Sequence, residues 1–76
     1  MGFRAFVARV ARERGVVGEV RNTDRGAVEI VAEGETAALE AFLDEVRTGP
    51  SFARVEEVDV VPGEGTGRYR GFTVSG

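Results

Sequence analysis

The chain has 76 residues, 13 acidic against 10 basic, for a formal charge of −3, and it contains neither cysteine nor histidine. Disulfides, thiolate or imidazole metal sites, and Ser-His or Cys-His catalysis are excluded, so any chemistry must rest on arginine, carboxylates, amides, hydroxyls or the backbone. A net-acidic chain without a run of basic residues is a poor candidate for nucleic acid, and no apolar stretch approaches the ~20 residues of a membrane span. The expectation is therefore one soluble, cytoplasmic domain over residues 1–76, monomeric, with no nucleic-acid or membrane partner. A chain this short buries only ~60% of its unfolded surface, so every core element counts.

In chain order, Phe3, Phe6, Val7 and Val10 recur at the spacing of an amphipathic helix, with Arg9, Arg12 and Glu13 on the wet side. Gly15 is placed to stop it. Val16, Val17 and Val20 predict a strand ending near Asn22, and "NTDRGA" has the composition of a turn. Val28, Ile30 and Ala32 then alternate with Glu29, Val31 and Glu33, predicting a half-buried second arm of a hairpin. Leu39, Phe42, Leu43 and Val46 give a second helix, ended by Gly49-Pro50. "ARVEEVDVV" predicts a third strand whose apolar phase slips at Glu56-Glu57, which calls for a bulge or an edge position. "PGEGTG" is a flexible loop, and "YRGFTVS" a closing strand with Phe72 and Val74 on one face.

The order α-β-β-α-β-β becomes β-α-β-β-α-β plus a terminal strand if one more strand precedes the first helix. The predicted fold class is α+β: a ferredoxin-like α/β sandwich, an antiparallel sheet with two helices on one face, its first strand apparently missing from the middle of the sheet.

That order implies where a site would lie. The first helix descends roughly 20 Å at ~1.5 Å per residue, and the strand to Asn22 climbs back about as far at ~3.3 Å per residue. Arg4 and Asn22 are therefore expected to meet at one end of the molecule. A helix N-terminus with free N–H groups at Gly2 and Phe3, a glycine permitting close approach and a guanidinium fork at Arg4 together make an anion site. The Asn22 amide can both donate and accept, and so can hold a water in line with a phosphorus. Without a general base nearby, this suits a substrate with a good leaving group. Each residue also has a plainer reading: Arg4 as a solvated surface charge, Asn22 as turn chemistry, the phenylalanines as core, and Glu56, Glu57 and Asp59 as a solvated strand face rather than a metal site.

Taken together, "GFRAFVARVARERGVVGEVRN", "GAVEIVAEGE", "TGPSFARVEEVDV" and "GRYRGFTVSG" resemble, in this order, segments of the acylphosphatase family. The likeness runs from Gly2 to Gly76. The resemblance implies hydrolysis of a carboxyl phosphate to carboxylate and inorganic phosphate without metal or cofactor. It implies Arg4 as the phosphate-binding arginine, with the backbone of Gly2 and Phe3 beside it, and Asn22 as the residue that orients the attacking water. The implied partners are a small-molecule acyl phosphate and phosphate or another anion.

The chain also departs from the family. Glu19 stands where the family usually has an aromatic residue, and the family's first strand and most of its Gly-Arg-Val-Gln-Gly-Val-Gly-Phe-Arg loop have no counterpart. Met1 falls where that loop has its second valine, whose GTG codon doubles as a bacterial start, so a start assigned inside the loop is one expectation. With few backbone donors left on a terminus that should fray, weak or absent activity is another. A real boundary is the alternative, the closing strand then filling the central place within one chain or in a strand-swapped dimer. The alternative function is a non-catalytic ferredoxin-like binding or structural module. An RNA-binding version of it is poorly supported, because only Tyr69 and Phe72 put aromatic rings on a strand.

Overall fold

The computed structural model describes residues 2–49, 52–63 and 65–75. Met1, the Pro50 expected to end the second helix, and Glu64 of the glycine-rich loop lie outside the described residues. The elements are α1 (Gly2–Arg14), β1 (Val17–Asn22), β2 (Val28–Gly34), α2 (Thr36–Arg47), a 3-10 turn (Phe52–Arg54), β3 (Val55–Pro62) and β4 (Phe72–Ser75). Order and type follow the predicted α-β-β-α-β-β, with the short turn before β3 as an addition.

α1 forms because its apolar residues fall on one stripe, which buries Val7, Ala8, Val10 and Ala11. It ends at Gly15, whose φ of 74° is left-handed. The Val16 N–H reaches the Ala11 carbonyl at 2.8 Å and the Gly15 N–H the Arg12 carbonyl at 3.4 Å, a paired closure that satisfies two otherwise orphaned helix carbonyls. α2 opens from extended Glu35 and closes at Thr48, whose hydroxyl donates to the Glu45 carbonyl at 2.6 Å. Leu39, Phe42 and Val46 are its buried face.

The four strands make one sheet in the order β3-β2-β1-β4. Val20, Val28, Ile30 and Ala32, at alternate positions, are buried with the apolar faces of both helices in a single core. Phe72 of β4 closes that core against Phe42, the rings 5.9 Å apart and inclined by 53°.

Several sequence expectations need correcting. The sheet is mixed, not purely antiparallel: β1 and β2 pair antiparallel, whereas β1–β4 and β2–β3 are parallel ladders. The cause is the connection through α2, which returns the chain to the end where β2 began, so β3 runs beside β2 in the same sense and pairs with it directly. No gap separates the described strands where a further central strand was expected. β4, in turn, lies outside β1 at the sheet edge, so within one chain the closing strand does not take the middle place. β4 is also shorter than predicted, because the chain bends at Arg70 and Gly71.

The phase slip in β3 has both expected forms. Val28 faces Val55 but Glu29 faces Glu57, so Glu56 is the extra residue of a bulge, and β3 is an edge strand. Glu56, Glu57 and Asp59 are exposed along it.

Candidate active site

The residues expected to form a site all come to the end of the sheet where α1 starts. Arg4 sits on the first turn of α1, half-buried, and its Nη1 donates to the Ser75 carbonyl at 3.3 Å. Ser75 is the β4 partner of Arg21, and Asn22 follows Arg21 at the end of β1. Asn22 keeps the parity of buried Val20 but is itself exposed, since the strand has run past the helix layer. The matched lengths of α1 and β1 thus bring Arg4 and Asn22 to a common rim through the last residue of β4.

The helix supplies the rest of this rim. The N–H groups of the first turn of an α-helix, here Gly2, Phe3 and Arg4 among the described residues, have no intrahelical acceptor and carry the positive end of the helix dipole. Gly2 is exposed and helical, with open space where a side chain would stand. The Phe3 ring packs 6.3 Å from that of Phe6, so Phe3 can offer a ligand its backbone rather than its side chain.

Asn22 is held in place by the turn behind it. The Thr23 N–H donates to the Ala27 carbonyl at 2.8 Å, and the Thr23 hydroxyl accepts from the N–H groups of Ala27 at 3.1 Å and Arg25 at 3.3 Å. On its other side, Arg21 and Glu29 form an ion pair at 2.7 Å across the ladder. The hydrogen bond from Arg21 to Glu29, reinforced by the carboxylate's charge, raises the guanidinium above its ordinary value. Arg21, Asn22, Thr23, Asp24 and Glu29 enclose a cleft of about 300 Å³.

Three features of the structure have no signal in the sequence. The Ser75 carbonyl holds Arg4, but a serine near a chain end has no pattern to announce it. Glu33, a wet position by alternation, is buried, because Thr66 folds over it and donates from its N–H at 3.1 Å and its hydroxyl at 2.8 Å. Arg12, expected to be solvated, sends its guanidinium to the Phe72 carbonyl at 2.8 Å and ties β4 to α1.

The fold has close counterparts. The family model described as Acylphosphatase matches residues 1–74. The acylphosphatase of Roseiflexus sp. (strain RS-1) is 47% identical over 74 residues, covering 97% of this chain and 80% of the relative. The acylphosphatase of Thermus thermophilus is also 47% identical over 74 residues, covering 97% of this chain and 83% of its own length. The crystal structure of acylphosphatase from Bacillus subtilis superimposes with a TM-score of 0.75 at 37% identity, covering 96% of this chain and 81% of the other. With the family matched over nearly every residue and the two-helix, four-stranded fold in agreement, the chain belongs to the acylphosphatase family.

Proposed function

We propose that this chain hydrolyses acyl phosphates at the rim formed by the start of α1 and the end of β1. Family membership makes it a hydrolase and favours this reading over a non-catalytic module. What supports the site is that Arg4 reaches the carbonyl of Ser75, the β4 partner of Arg21, and Asn22 is the next residue along β1.

The chemistry follows from the groups present. The free N–H groups at the start of α1 and the Arg4 guanidinium bind the non-bridging phosphoryl oxygens. The Asn22 carbonyl oxygen accepts from a water while its amino group keeps the carboxamide turned toward the phosphate. The water oxygen attacks phosphorus, the bond from phosphorus to the acyl oxygen breaks, and the carboxylate leaves with the electron pair. The water's proton passes to the phosphate product or to solvent. A carboxylate is a good leaving group and needs no protonation, so charge stabilisation and positioning carry the rate.

The test is phosphate release from benzoyl phosphate at high protein concentration, comparing the chain with Arg4→Ala and Asn22→Ala. Loss of one well-placed oxyanion donor costs ~10²–10³ in rate, and a loss of that order is expected for each variant. Variants that stay folded by circular dichroism and hydrolyse as fast as the parent would refute the assignment.

A further inference from the structure

We propose that the cavity beside this rim, between the 23–27 turn and the 3-10 turn, receives the acyl part of the substrate and that Arg54 selects acyl groups carrying a second negative charge. This rests on the hydrolase site above and goes further by naming a substrate class: acyl phosphates of dicarboxylic acids.

The cavity is a depression widely open to solvent, of about 640 Å³, with Arg25 and Glu56 on one side and Arg54 on the other of Gly26, Ala27 and Ala53. That volume is in the range of sites for small organic ligands. One wall is fixed by the Ala27 N–H donating to Thr23, the residue after Asn22.

Strand register gives its distance from Asn22, the residue proposed to orient the water. Asn22 pairs with Val28, and Val28 pairs with Val55, so the cavity begins two strands from Asn22, roughly 10 Å at ~4.8 Å per strand. A four-carbon diacid chain together with the reach of an arginine side chain spans that interval. A methyl or other short neutral acyl group does not.

Charge supplies the selectivity. Arg25 is committed to Glu56, its Nη2 lying 2.7 Å from the carboxylate. Among the described residues the ion pairs are Arg14–Glu45, Arg21–Glu29 and Arg25–Glu56, so Arg54 enters none of them. Its planar fork is suited to a carboxylate. Exposed, and without an ion pair among the described residues, Arg54 on this wall offers a place for an anion.

The experiment compares kcat/KM for succinyl phosphate and for acetyl phosphate in the parent chain and in Arg54→Gln. The expected result is a succinyl-to-acetyl ratio about tenfold lower in the variant, arising mainly in KM, with partial recovery in Arg54→Lys; tenfold corresponds to ~1.4 kcal/mol. An unchanged ratio overturns the inference. If neither substrate is turned over by the parent, the hydrolase reading fails instead. Titration with succinate, followed at the backbone amides of residues 25–27 and 53–55, then decides the cavity separately. Shifts lost in Arg54→Gln support it, and no shifts in the parent overturn it.

Discussion

Gly18 stands in the middle of β1, where a glycine would ordinarily weaken a strand, and replacing it with alanine is expected to damage both fold and site. Its φ is 143°, a conformation side-chain-bearing residues rarely adopt. A Cβ built there would overlap the Val31 carbonyl oxygen, and would lie 2.8 Å from that carbonyl's carbon and 3.2 Å from the Ala32 Cα. All three atoms are backbone of β2, so relief requires the ladder itself to shift rather than a side chain to rotate. The backbone strain costs ~1–3 kcal/mol and the overpacking another ~1–3, about 2–6 kcal/mol together. At ~0.05–0.15 kcal/mol per residue, a 76-residue chain has only about 4–11 kcal/mol to lose. Thermal unfolding followed by circular dichroism should show Gly18→Ala melting at least ~8 °C below the parent, at ~4–8 °C per kcal/mol for a domain of this size. Because Asn22 is four residues further along the same strand, the variant should also lose phosphate release before it loses helicity. A melting point within a degree or two of the parent would refute the steric reasoning.

Substitutions at three further positions test the packing. Phe42→Ala removes a fully buried ring that packs on Phe72 and should cost ~3–5 kcal/mol, measured by urea denaturation. Glu33→Leu leaves the Thr66 N–H and hydroxyl without their acceptor, and each hydrogen bond to a charged group contributes ~1.5–3 kcal/mol. Glu33→Gln, which can still accept from the Thr66 N–H, should lose less in the same denaturation experiment. Arg12→Ala frees the Phe72 carbonyl and should raise amide exchange in β4 well above that in β2, as read by hydrogen–deuterium exchange.

What could be read in the letters was whatever depends on local pattern. The stripe from Phe3 to Val10 and the stop at Gly15 marked out α1, because helix periodicity and a left-handed cap are both properties of neighbouring residues. The slip at Glu56-Glu57 announced a bulge on an edge strand for the same reason. The rim was partly legible as well, since comparing the lengths of α1 and β1 was enough to bring Arg4 and Asn22 to one end. Long-range contacts were not legible. Glu33 alternates like a solvated residue, and only a loop more than 30 residues later makes it interior. The same holds for the Ser75 carbonyl at Arg4 and the Phe72 carbonyl at Arg12, which are backbone acceptors that no residue type advertises. The mixed sheet was missed because α2 sets β3 in the same sense as β2, and whether the two then pair directly depends on what lies between them in space, not on either strand's sequence. The cavity at Arg54 was hidden for a related reason: its walls come from two turns about 25 residues apart.

The most direct measurement is an NMR titration of the labelled chain with inorganic phosphate, the product and simplest occupant of the proposed site. The result expected is saturable shifts at the amides of Gly2, Phe3 and Arg4 and at the Asn22 carboxamide, abolished in Arg4→Ala. Shifts confined to other parts of the surface, or surviving unchanged in that variant, would contradict a phosphoryl site at the start of α1.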